Sequence, residues 1–130
     1  MKILVDTSVW SLAFRREDPD EAVTELKDII LSSMAVMIGP VRQELLSGIR
    51  DENMYNRLKA SLSAFIDLPI QTIDYETAAH FFNICRKNGV QGSHIDFLIC
   101  AVASNHNLLI YTVDKDFLQY KRFLPIRLYT

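Results

Sequence analysis

Four short apolar runs divide this 130-residue chain: Lys2–Asp6, Ala35–Gly39, Leu108–Tyr111 and Ile126–Tyr129. None alternates apolar with polar residues, so each predicts a strand covered on both faces rather than one with a wet side. Helix-length stretches separate them, and tight-turn dipeptides between them are few. That pattern predicts right-handed crossovers onto a parallel sheet, an α/β fold with helices on both faces. Leu68–Ile70 is a further extended piece, which Pro69 confines to a sheet edge or a strand start.

The helices announce themselves by caps and spacing. Thr7 and Ser8 are candidate caps for a short helix carrying Val9, Trp10, Leu12, Ala13 and Phe14. Asp18, Pro19 and Glu21 read as N-cap, first position and third position of the next helix, whose apolar residues Ala22, Val23, Leu26, Ile29 and Ile30 keep helical spacing. Pro40 opens a helix through Val41, Glu44, Leu45 and Gly48. Residues 52–65 put Met54, Leu58, Leu62 and Phe65 on one stripe. Asp74 reads as the cap of a helix from Tyr75 to Lys87, closed by Asn88 and Gly89. Ser93 and Asp96 have the spacing of a capping box ahead of a helix from Ile95 to Ser104.

With 49% apolar residues the chain can build its own core as one domain spanning residues 1–130. Its 2 cysteines, Cys85 and Cys100, form neither a zinc pattern nor a disulfide framework, which fits a cytoplasmic protein. The N-terminus turns acidic too soon for a signal peptide, and no apolar run nears the ~20 residues of a membrane span.

Ligands of open α/β sheets bind beyond the carboxyl ends of the strands. Asp6 and Asp114 both stand just past such an end. Each has two readings, a cap of the following helix or a ligand in a site. Asp96 starts a helix that is apolar nearly all round, so its carboxylate is to be buried and must be hydrogen-bonded or neutralised. It either satisfies its own first turn or serves a site. Glu44 sits at the edge of the buried face of its helix, as a solvated flank or a ligand. Carboxylates gathered in one cleft repel, and a divalent cation relieves that. Oxygen ligands with no His or Cys at ligand spacing favour Mg²⁺ or Mn²⁺ over Zn²⁺, and such a site suits phosphoryl chemistry.

Val5–Trp10, Val41–Gly48 with its Arg42, Gln43 and Glu44, Ser93–Ala101 with Asp96, and Tyr111–Phe117 with Thr112, Asp114 and Asp116 resemble, in order and spacing, the PIN-domain ribonucleases, especially the VapC-like toxins of type II toxin–antitoxin pairs. The resemblance spans the chain. It implies a three-layer α/β/α sandwich around a mainly parallel, twisted sheet. It also implies a Mg²⁺- or Mn²⁺-dependent endoribonuclease whose acidic quartet falls on Asp6, Glu44, Asp96 and Asp114. Hydrolysis is expected through a metal-activated water, leaving a 5′-phosphate and a 3′-hydroxyl. Asp116 reads as a helix-start carboxylate outside the ligand set, and Thr112 and Thr7 as hydroxyls that support a ligating carboxylate or merely end their strands. RNA is the implied substrate, tRNA being a candidate. A homodimer and a cognate antitoxin are the implied partners, with Trp10, Leu12, Phe14, Arg15 and Arg16 near the antitoxin groove.

Two other readings compete. One is a non-catalytic RNA-binding or assembly module on the same fold; the other is an aspartyl-phosphate phosphatase with Asp6 as nucleophile, which wants an acid where Ser8 stands. His80, His94 and His106 share no spacing that would support metal-free RNA cleavage, though His94 is near enough to Asp96 to contact a phosphate. Arg15, Arg16, Arg42, Arg86, Lys87, Lys115, Lys121 and Arg122 are candidates for an RNA path. The formal net charge is −2, but setting the acidic quartet aside leaves +2 on the rest of the chain. The acid excess is then local to a site that cations neutralise.

Overall fold

A computed structural model describes residues 1–15 and 20–130, the side chain of Arg15 apart. The elements run β1 (Ile3–Val5), α1 (Thr7–Arg15), α2 (Glu21–Leu31), β2 (Ala35–Val36), α3 (Gly39–Leu46), α4 (Glu52–Leu62), α5 (Thr72–Lys87), α6 (His94–Asn105), β3 (Leu109–Tyr111) and α7 (Asp116–Lys121). The strands form a parallel sheet in the order β2-β1-β3, with Ile3 opposite Ala35 and Leu109. Ile3, Leu4 and Val5 are all buried, as a strand covered on both faces must be.

Two isolated parallel bridges widen the sheet by one position at each edge, Met37 to Asp67 beyond β2 and Ile110 to Leu128 beyond β3. The expected strand at Ile126–Tyr129 is reduced to the second of these: Ile110 donates to Arg127 O at 2.9 Å and Tyr129 donates to Ile110 O at 2.8 Å. Pro125, without an N–H, stands just before it and offers no donor to lengthen the ladder. The piece around Pro69 is likewise an edge bridge, where Leu68 donates to Met37 O at 2.8 Å. β2 is shorter than expected because Gly39 already belongs to α3, ahead of Pro40.

Several helix starts shift. Asp20 caps α2, accepting from Val23 N at 3.1 Å, so the helix begins after the expected position; Asp18 and Pro19 lie outside the described residues. Asp6, not Thr7 or Ser8, precedes α1, and its carbonyl accepts from Val9 N at 3.1 Å. α5 begins at Thr72 with Gln71 as its N-cap; Asp74 is the third helical residue, and its carboxylate accepts from Gln71 N at 3.0 Å. α6 starts as expected, Ser93 Oγ accepting from Asp96 N at 3.1 Å. On α4 the expected stripe holds at Leu62, which is fully buried, while Met54 at the far end is 52% exposed. Among the described residues no helix is long and apolar enough to cross a membrane.

The topology decides where a ligand can sit. The chain leaves β1 through α1 and α2 toward β2 on one side, and leaves β3 through α7 toward Leu128 on the other. The connections at the carboxyl ends of β1 and β3 therefore diverge, which opens a crevice between neighbouring strands at the switch point. Asp6 follows β1 directly, and Asp114 lies just beyond β3.

Candidate metal centre

All four acids of the expected quartet line one open cleft. Asp6, Glu44, Asp96 and Asp114 share its walls with Thr7, Ser8, Ser11, Leu12, Ser93 and Val113. Four separate segments thus deliver a carboxylate to one place: the end of β1, the middle of α3, the first turn of α6 and the loop after β3. Among the described residues none of these acids forms an ion pair with a Lys, Arg or His.

Asp6 is 4% exposed and heavily hydrogen-bonded. Its Oδ2 accepts from Ser8 Oγ at 2.7 Å and from Thr112 Oγ1 at 2.8 Å. Burial nonetheless pushes its carboxyl above the ordinary range, against those hydroxyls and the backbone amides of Ser8 and Thr7. Thr112 Oγ1 also accepts from Asp114 N at 3.0 Å, and Ser8 Oγ accepts from Val113 N at 3.1 Å. These two hydroxyls stitch the end of β1 to the loop after β3, which supports the part expected of Thr112. Among the described residues Thr7 Oγ1 is buried without a hydrogen-bond partner, and it is Ser8 Oγ that bonds Asp6.

Asp96 is half-buried, and Tyr120 Oη donates to its Oδ2 at 2.6 Å. Burial raises the Asp96 carboxyl; the bonds from Tyr120 and Ser93 oppose this, while the negative charges of Asp6 and Asp114 add to it. The acids thus feel one another across the cleft, as like charges in a partly dry site must. Asp114 Oδ1 accepts from the amide of Asp116, the first residue of α7, at 2.9 Å, although Lys115 holds the N-cap position; with four lone-pair sites on a carboxylate, that bond leaves it free to serve a ligand as well.

Asp116 is better placed than its spacing suggests. One ligand oxygen each from Asp96, Asp114 and Asp116 lie within 4.8 Å of one another. An exposed carboxylate two residues after Asp114 reaches this group because the chain turns into α7 between them. The donor set is all oxygen and its excess charge is negative, which fits a hard divalent cation such as Mg²⁺ or Mn²⁺.

Of the cations expected along an RNA path, three of the six described ones are held against other groups of the protein. Arg42 donates from Nε and Nη2 to Asp67, from Nη1 to Leu62 O at 2.8 Å and from Nη2 to Phe65 O at 2.6 Å, pinning the end of α4 to α3. Arg86 lies over Phe82, and Arg122 over Phe123. Lys87, Lys115 and Lys121 are exposed, whereas Arg16 and the Arg15 side chain lie outside the described residues. His94 is exposed and stacks on Phe82 with ring centroids 5.1 Å apart, in a groove that borders the cleft at Glu44. Of the aromatic residues expected near an antitoxin groove, Trp10 is core, 2% exposed and packed on Phe65, while Phe14 is 45% exposed.

Sequence reasoning passes over Ser8, Tyr120 and Gly92. Ser8 reads as a helix cap, and Tyr120 shares with Phe117 and Leu124 the spacing of a buried face. The available signal is chemical: a tyrosine in the core brings a hydroxyl that needs an acceptor.

The PIN domain family model matches residues 3–122. Ribonuclease VapC11 of Mycobacterium tuberculosis is 33% identical over 119 residues, 88% of each chain. Among solved structures, FitAcB from Neisseria gonorrhoeae superposes with a TM-score of 0.77 at 23% identity, covering 98% of this chain and 96% of that one. VapBC2 from Rickettsia felis, bound to a DNA fragment from its promoter, gives 0.78 at 18% identity over 99% and 98%. The family model spans most of the chain and the solved structures share its fold, and this chain belongs to the PIN-domain family.

Proposed function

We propose that this chain is a divalent-metal-dependent endoribonuclease, the cytoplasmic toxin of a toxin–antitoxin pair, with Asp6, Glu44, Asp96 and Asp114 as its metal-binding and catalytic acids. The observation that carries this reading is the convergence of four segments' carboxylates on one switch-point cleft with no cationic side chain paired to them among the described residues. Similarity to proteins named as VapC ribonucleases supports the substrate class.

The chemistry a bound Mg²⁺ or Mn²⁺ supplies in such a site is activation of water and neutralisation of charge on the phosphate. The chain's own residues prepare for it. Ser8 and Thr112 hold Asp6 in one orientation, so its ligand position is set before any cation arrives. Asp96 and Asp114 converge from α6 and the loop after β3, and Asp116 stands close enough to share the same cation or to orient water beside it. Glu44 completes the set from α3. The cleft is open, and the acids that line it are where a phosphate of the RNA would lie.

An antitoxin partner fits a second groove, lined by Ser11, Phe14, Leu45, Met54, Arg57 and Leu58, that meets the cleft at Glu44. A peptide whose apolar side chains cover Phe14 and Met54 would extend toward the acids. The homodimer follows from the family resemblance and is checked by the sedimentation of the purified protein.

Purified protein is to be incubated with mixed RNA in Mg²⁺, Mn²⁺ or EDTA, alongside Asp6→Asn and Asp96→Asn. Cutting is expected in either metal, absent in EDTA and reduced at least a hundredfold in both variants. Cutting that survives EDTA or either substitution overturns the reading. RNA binding without cutting supports a non-catalytic module, and release of phosphate from a small phosphomonoester supports the phosphatase. Growth arrest on induction, abolished by Asp6→Asn, tests the toxin role.

A further inference from the structure

We propose that Tyr120 is a positioning residue for the metal centre: held against Asp96 by a space that only Gly92 leaves open, it fixes the Asp96 carboxylate in the orientation that binds the cation. The inference rests on the metal site proposed above.

Tyr120 lies on α7 and is fully buried, so its hydroxyl cannot turn to water. Its Oη donates to Asp96 Oδ2 at 2.6 Å, the short distance of a hydrogen bond to a charged acceptor. The ring has no room to leave this position: it packs on Phe97 at 5.0 Å and Phe117 at 5.1 Å between centroids. Burial, the bond to Asp96 and the neighbouring negative charges of Asp96, Asp116 and Asp114 all push the phenol upward, in keeping with its place as the donor in this bond.

Gly92 provides an independent sign that this contact is built. A Cβ at that position would stand 2.4 Å from Tyr120 Oη, 2.8 Å from its Cζ and 3.0 Å from Phe97 Cε2. All three atoms belong to buried rings, so none can swing aside. The residue just before the α6 cap therefore makes way for the tyrosine hydroxyl, one turn from the acid that the hydroxyl holds. Tyr120 also lies four residues after Asp116, so one short helix carries both a carboxylate of the cluster and the donor that orients another.

A carboxylate bonded by Tyr120 and Ser93 still keeps lone pairs for a cation. What the Tyr120 bond removes is rotation, and losing such an outer contact typically weakens metal binding about 10- to 100-fold. The test is calorimetric titration of Mn²⁺ into the wild type, Tyr120→Phe, Gly92→Ala, the double variant and Asp96→Asn, with thermal unfolding of each in EDTA as a folding check. Tyr120→Phe keeps the ring and is expected to unfold near the wild-type temperature yet to bind Mn²⁺ about tenfold more weakly or worse. Its kcat is expected to fall at a fixed, subsaturating Mn²⁺ concentration while KM for RNA stays put, since a buried residue touches no RNA. Gly92→Ala is expected to weaken Mn²⁺ binding in the wild type and to do so less in the Tyr120→Phe background, where the closest clashing atom is gone. Wild-type Mn²⁺ affinity in Tyr120→Phe, or an equal Gly92→Ala effect in both backgrounds, overturns the positioning role. If Asp96→Asn loses Mn²⁺ binding in that same experiment, the metal site itself stands; if the wild type binds no Mn²⁺, or Asp96→Asn binds it unchanged, the site and the positioning role fall together.

Discussion

Asp96 concentrates the tension between folding and function in a single side chain. It is half-buried, feels the charges of Asp6 and Asp114, and has no cationic partner among the described residues. A residue placed for a ligand in this way destabilises the empty protein. Asp96→Asn keeps an oxygen to accept from Tyr120 and removes one of the repelling charges. In EDTA the variant is therefore expected to unfold a few degrees above the wild type, and added Mn²⁺ is expected to raise the wild type and leave the variant unmoved. Calorimetric scans at one pH with and without Mn²⁺ check both halves; an EDTA midpoint for the variant below that of the wild type would contradict the repulsion argument. Asp6, Asp96 and Asp114 are legible from sequence because strand ends and an all-apolar helix leave few other uses for an acid. Asp116 is not, because whether its carboxylate joins Asp114 depends on how the chain turns into α7, and nothing in a two-residue spacing records that turn. Tyr120 is hidden for another reason: what it does is decided by an acid more than twenty positions away.

At the scale of elements, the packing of α5 on α6 is secured by a polar knot far from the cleft in character. Asp74 is fully buried, yet its oxygens accept from Gln71 N at 3.0 Å, from Asn105 Nδ2 at 2.9 Å and face His106 Nε2 at 3.3 Å. Burial alone would raise this carboxyl; the bonds from Gln71, Asn105 and His106 outweigh it and hold the group below its usual range. Removing the acceptor takes a buried partner from Gln71 N, Asn105 and His106, so Asp74→Ala is expected to cost about 1–3 kcal/mol at neutral pH, read from urea unfolding. The sign of its pH dependence follows from the lowered folded value. Asp74 contributes fully above the pKa of the unfolded chain, about 3.9, and the contribution fades as pH falls through the lower folded value. Asp74→Asn should accordingly flatten the acid limb of the stability curve below about pH 4. A limb as steep as the wild type's would show that other carboxylates carry the acid transition. The strands and most helices are readable because burial on both faces and helical spacing leave marks in the residue order. The edges are not: Ile126–Tyr129 looks like β3 in composition, but at the margin of the sheet its pairing shrinks to one bridge.

For the whole molecule, charge and shape set how RNA can be held. A formal net charge of −2 is a poor start for a phosphate binder, and three of the arginines that might offset it are held against other groups of the protein. Arg42 is bound to Asp67 and two carbonyls, while Arg86 and Arg122 lie on aromatic rings. The exposed Lys115 stands between Asp114 and Asp116 in the chain. With few phosphate contacts from side chains, metal-free affinity is expected to be weak and to vary little with salt, because few counterions are released. The cleft acids then act against RNA until a cation neutralises them. This gives binding and cutting opposite responses to the same substitution. In EDTA, Asp6→Asn and Asp96→Asn each remove a negative charge from the path of the phosphate, so both should bind a labelled single-stranded RNA more tightly than the wild type while cutting nothing. Fluorescence anisotropy in EDTA at two salt concentrations measures this. Tight wild-type binding in EDTA with a steep salt slope would mean that a basic surface, and not the cleft, holds the RNA, and that the acid excess plays no part in recognition.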